Sequence, residues 1–192
     1  MSTASRSAAV LASVACAGLL AAAVSGGPAG TPAADPLPRI GDGHRLAELV
    51  DPSAPCVRAM AAAVLSARPG APPEELAQAA SDLVRTSVAY ARDVGGDHWQ
   101  TPAETAARGA GDCEDAAVLA SSLLLALGIR CCLLLYDHHV AVGASLDAPS
   151  GHRLRDGDDV WTYIEATGGA PLPIGSVPRE LAGARCAFVH ID

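Results

Sequence analysis

Five consecutive residues, Gly111-Asp112-Cys113-Glu114-Asp115, concentrate the chemistry of this chain. Asp112 is a natural helix N-cap, with a second acid, Asp115, three residues on. A cap there puts Cys113 at the first helical position. Unbonded backbone N–H groups and the positive end of the helix favour a thiolate at that place. The same N–H groups would hold an oxyanion when a carbonyl is attacked, and small Gly111 leaves room beside the sulfur. The neighbouring carboxylates act the other way, because negative charge raises a thiol pKa. A reactive thiolate here therefore needs a cationic partner. Without one, the segment is a capped structural helix with an incidental cysteine.

The partner is sought downstream. Asp137-His138-His139 stands at the mouth of an apolar strand, and Glu165 lies near the end of a later one. Antiparallel pairing of these strands about a centre near His152 would set His139 opposite Glu165, on one face. A Cys at a helix start, a His on one strand and a carboxylate on the next make a nucleophile, a base and an orienting group. His139 is preferred to His138 because it directly precedes the strand valine. A one-residue change of register would break the relation. Metal binding is the competing use of these side chains, since zinc accepts Cys and His. No CxxC or HxxxH spacing supports it, so neither metal nor cofactor is expected. Trp161 and Tyr163 have strand spacing and are assigned to core packing. The acidic stretch 147–159 is read as a solvated hairpin loop.

The elements that must position these groups follow from periodicity. Residues 44–50 allow a short helix, and 56–67 form a helix ended by Arg68-Pro69-Gly70. Residues 73–92 form a stronger one, opening on Pro72-Pro73-Glu74-Glu75 and stopped by Gly95-Gly96. Residues 112–127 are the clearest helix, from the Asp112 cap to Gly128. Strands follow over 129–136, 139–146, 160–166 and 185–191. Helices first and strands after imply an α+β domain, with N-terminal helices packed on a mainly antiparallel sheet.

Composition narrows the partners. Half of the 192 residues are hydrophobic, only 3% are aromatic, and 18% are charged. The net charge is −8, and all 13 basic residues are arginine. Such an acidic chain without a basic run argues against nucleic acid. Mean hydropathy is +0.26, partly because residues 7–25 carry no charge and are rich in Ala, Val and Leu. With Arg6 before them, residues 1–25 read as a secretory signal peptide or a single N-terminal membrane anchor. Residues 26–43 read as a Pro/Gly/Ala-rich linker, and 44–192 as the folded domain. Export, to the outside or to the outer face of the membrane, is the expected location. One of six cysteines, Cys16, falls in the leader, so an exported mature chain would hold an odd number. Adjacent Cys131 and Cys132 would point to opposite faces of a strand.

The residues now reach a resemblance. Tyr90-Ala91-Arg92-Asp93, Trp99-Gln100-Thr101-Pro102-Ala103-Glu104-Thr105, Gly111-Asp112-Cys113-Glu114-Asp115 and the aliphatic run ending at Gly128 resemble the transglutaminase-like superfamily. They are most similar to its prokaryotic cysteine peptidase branch. His139-Val140-Ala141-Val142 and Tyr163-Ile164-Glu165-Ala166-Thr167 extend the likeness, and Ile174-Gly175 with Pro178 resembles archaeal-type members. The resemblance implies a papain-like α+β core with Cys113 as nucleophile, His139 as general base and acid, and Glu165 as third member. The superfamily more often has Asp there, so Glu165 must absorb an extra methylene. Gln100, Trp99 and Asp112 are candidates for oxyanion or cleft support. The implied activity is hydrolysis of an amide or isopeptide bond in a protein or peptide. The other reading is a catalytically inactive module used as an exported binding or scaffold domain.

Overall fold

A computed structural model describes residues 43–191 apart from 94, 95, 97 and 148–150. The leader over 1–25 and the linker over 26–43 lie outside the described residues, save Gly43. Among the described residues there are five helices: α1 (Gly43–Ala47), α2 (Pro55–Ala67), α3 (Pro73–Ser87), α4 (Pro102–Arg108) and α5 (Cys113–Ala126). A two-stranded parallel ladder joins β1 (Ala89–Tyr90) to β2 (Ala110–Gly111). A five-stranded antiparallel sheet has the order β5-β6-β4-β3-β7. Its strands are β3 (Cys131–Tyr136), β4 (His139–Ala144), β5 (Arg153–Asp156), β6 (Asp159–Ile164) and β7 (Ala187–His190). The architecture is α+β, as the element order implies.

Helix α5 is the centre of the molecule. Every residue from Cys113 through Leu124 is buried, as expected of a helix apolar all round. Helices α2, α3 and α4 pack on it from one side and β4 and β3 from the other. Strand alternation then splits the sheet. Cys131, Leu133, Val140, Val142 and Ile164 face α5 in the main core. Cys132, Leu134, Ala141, Trp161 and Tyr163 form a second apolar cluster on the far face, covered by Val177 and Leu181 of the chain before β7. Cys131 and Cys132 do point to opposite faces.

Three elements differ from their expected form. Helix α3 stops at Ser87, because the next residues pair with β2: Ala89 and Ala91 donate to the Gly109 and Gly111 carbonyls at 2.8 and 2.9 Å. Tertiary pairing overrides the helical period there. Residues 102–108 form a helix, with Thr101 and Glu104 in a reciprocal capping box. The stretch 147–159 contains β5, an edge strand with alternating half-buried and exposed residues. Its Arg and Asp residues disguise it, because an edge strand keeps one face in water.

Candidate functional site

Cys113 is the first residue of α5, and Asp112 is its cap. The Asp112 N–H donates to Asp115 Oδ2 at 3.3 Å. Asp115 Oδ1 accepts the Gln100 N–H at 2.7 Å, and the Gln100 side-chain amide donates to Oδ2. Gln100 is thus committed to Asp115, and it ties the segment before α4 to the start of α5. Trp99 lies beneath the Arg45 guanidinium, 5.5 Å from the ring centroid. Gly111 cannot carry a side chain without movement: a Cβ there would sit 2.7 Å from the Asp115 Cβ.

The environment of the sulfur is acidic and dry. Cys113 is 4% exposed, and its thiol donates to Glu114 Oε2 at 2.8 Å. Burial and then the Glu114 carboxylate push the thiol pKa up, with Asp112 adding to them; the Val140 backbone N–H opposes them. That N–H faces the sulfur, which therefore lies beside the residue that follows His139. Asp112 is itself pushed up to about 8, by burial first and then by Glu114 and Asp115. The fold therefore retains a proton on Asp112 that the unfolded chain releases near pH 4. Stability is lost as pH rises between those values. Asp112→Asn is expected to stabilise the chain by more than about 1 kcal/mol at pH 8, with little effect at pH 4. Urea unfolding at both pH values checks this, and equal gains at both would contradict it.

His139 opens β4 after a two-residue turn, Asp137-His138, in which both side chains are exposed. His139 Nε2 lies 2.9 Å from Glu165 Oε2 and 3.1 Å from Oε1. The register that achieves this differs by two residues from the expected one. Val142 faces Ile164 and Gly143 faces Tyr163, which carries His139 to a position opposite Thr167. A shift of two preserves the face, so His139 and Glu165 remain neighbours, diagonally rather than directly. The extra methylene of Glu165 spans the diagonal.

The Glu165 carboxylate accepts from four donors: His139, the Tyr163 hydroxyl at 2.7 Å, and the Thr167 N–H and hydroxyl at 2.9 and 2.7 Å. Burial alone would raise its pKa, but the His139 and Thr167 contacts outweigh it and hold the carboxyl at about 2. An ionised carboxylate only accepts, so Nε2 carries the imidazole proton. Tyr163 is core, as its spacing indicates, but its hydroxyl serves Glu165. The sequence holds a signal for this: Tyr163, Glu165 and Thr167 recur at period two between apolar Ile164 and Ala166.

A cleft of about 940 Å³ opens on His139 and Glu165. Arg85, Tyr90, Tyr136 and Thr167 line it, with Leu172 and Leu181 from the chain before β7. Cys113 is not in its lining. By strand alternation His139 belongs to the sheet face of Tyr163, whereas Val140 faces α5. The sulfur lies near the Val140 N–H and acts on the Tyr90 phenol, which lines the cleft, so it sits close to the cleft wall without forming part of it. No group of three or more His, Cys, Asp and Glu suited to a metal occurs among the described residues. No described helix is long and apolar enough to cross a membrane.

Residues 59–139 match the sequence profile of the Transglutaminase-like superfamily. The match runs from within α2 to His139, so it includes Cys113 and stops before Glu165. No curated protein matches the chain.

Proposed function

We propose that this chain, whose residues 59–139 belong to the transglutaminase-like superfamily, is a thiol-dependent acyl-transfer enzyme: a cysteine peptidase or amidohydrolase. The observation that carries this reading is the 2.9 Å bond from His139 Nε2 to Glu165, beside a sulfur that borders Val140. With Nε2–H given to Glu165, the lone pair of Nδ1 is left to take the thiol proton. The sulfur attacks the carbonyl carbon of an amide, and the carbonyl electrons move to oxygen, held by N–H groups at the start of α5. Collapse breaks the C–N bond, and the imidazolium protonates the leaving amine. Water then adds to the thioester with His139 as base, releasing the acid and restoring the thiol. Nothing in the sequence suggests a second-substrate amine site, so water is the favoured acceptor. The substrate is a protein or peptide, met outside the cell after export through the leader.

One observation favours the second reading, an inactive binding module. The thiol is bonded to Glu114, buried, and absent from the cleft wall. The two readings part at that hydrogen bond, because catalysis requires the thiol to leave Glu114 for His139. Alkylation of Cys113 by iodoacetamide, followed against pH, separates them. The enzyme reading expects a reactive population below pH 7. Reactivity that grows only above about pH 8.5, the ordinary thiol range, would leave the module.

A further inference from the structure

Glutamate in the third position poses a problem of order. It has one more rotatable bond than aspartate, and each free rotor spreads the carboxylate over more positions. The structure meets this from two sides. On the side-chain side, Tyr163 is 0% exposed and donates to Glu165 Oε2 at 2.7 Å, the same oxygen that faces His139. Its ring is braced edge-on by Tyr136 and His152, with centroids 6.4 and 6.5 Å away. Its N–H and carbonyl are bonded to His152 and Gly175.

On the main-chain side, two α3 residues one turn apart reach the Glu165 carbonyl: Ser81 Oγ at 3.3 Å and Arg85 Nη1 at 3.5 Å. Arg85 also donates to the carbonyls of Thr167 and Ala170. It is 8% exposed, and no described carboxylate forms an ion pair with it. A buried cation satisfied by carbonyls alone is costly to retain. All three carbonyls belong to the turn that carries Glu165 and Thr167. Gly168 fits this clamp: a Cβ on it would come within 2.9 Å of Arg85 Nη2, and its φ is +103°.

We infer that Arg85 and Tyr163 are positioning residues for Glu165, the first holding its backbone and the second its carboxylate against His139. This rests on the thiol-enzyme reading for its purpose, but its geometry is testable apart from it. The groups that face the Glu165 carboxylate are His139, Tyr163 and Thr167, with the Tyr136 phenol beyond.

The test uses NMR of the full chain, following exchange of the His139 Nε2–H proton with water. In wild type that proton, held by Glu165, is expected to exchange slowly, and Glu165→Gln should abolish the protection. Tyr163→Phe and Arg85→Lys are each expected to speed exchange about tenfold, the equilibrium worth of one ordinary hydrogen bond. Amides of β3 serve as the control and should not change. Tyr163→Phe deletes only a hydroxyl, so it carries the test if Arg85→Lys misfolds. Unchanged exchange in Tyr163→Phe, or an unprotected proton in wild type, overturns the inference. If the variants behave as expected while Cys113 alkylates as an ordinary thiol, the positioning stands and the enzyme reading falls.

Discussion

Cys113→Ala is expected to lower turnover of any acyl substrate, and labelling by a thiol-directed acyl probe, by at least about a thousandfold. Removing a nucleophile leaves only binding and oxyanion contacts, which cannot form the acyl intermediate. The fold should survive, since the change deletes one small buried atom and frees Glu114 from the thiol contact. Cys113→Ser is a sharper comparison. It keeps a donor for Glu114 and nearly the same volume, yet a hydroxyl is a far weaker nucleophile beside the same imidazole. Both variants should therefore be silent while unfolding much as wild type does. Mapping the labelled peptide by mass spectrometry is essential, because Cys56 and Cys186 are half-buried and in no disulfide. Labelling of Cys113→Ala at the wild-type rate would move the nucleophile to one of those two, or remove the activity from this fold altogether.

What the sequence reveals about this site depends on how local each signal is. The Cys113 helix is legible because its cap, its acid at the third position and its terminal Gly128 all lie within one stretch. The strand starting at His139 is legible because a two-residue turn and a valine run mark it. Glu165 is reached only through an assumed pairing, and the true register differs by two residues. The pair survives because strand faces repeat every two residues, a tolerance no propensity scale supplies. Arg85 shows the opposite case. It falls on the buried face of α3 with Ser81, and half-buried Gln78 precedes them at helical spacing, a polar stripe where apolar residues belong. Gln78 and Ser81, like Arg85, bond the chain beyond β6. The stripe is visible in the sequence, but its target, some eighty residues downstream, is not. The neutral state of the thiol is equally hidden, because it depends on how deeply α5 is buried and not on the cap that begins it.

Glu165→Gln should combine a large loss of activity with a pH-dependent loss of stability, and the second is the more diagnostic. The folded carboxyl is held at about 2 against roughly 4.3 in an unfolded chain. A depressed carboxyl stabilises the fold above the unfolded value, and the contribution disappears as pH falls toward the folded one. At about 1.4 kcal/mol per pH unit, it amounts to about 3 kcal/mol at pH 7. Glutamine has no charge to titrate, so the variant should be less stable by about that amount at neutral pH. Its stability should then approach that of wild type between pH 4 and pH 2. The chemical consequence comes through the proton on His139. An amide NH2 turned toward Nε2 requires that nitrogen to accept, which moves the imidazole proton to Nδ1. The nitrogen meant to receive the thiol proton is then already occupied, and turnover should fall by about 10³–10⁴-fold. Denaturant titrations of both proteins across pH 2 to 7 measure the first effect. A stability gap that stays constant over that range would mean that Glu165 is not the depressed carboxylate its four donors make it, and His139 would lose its orienting partner.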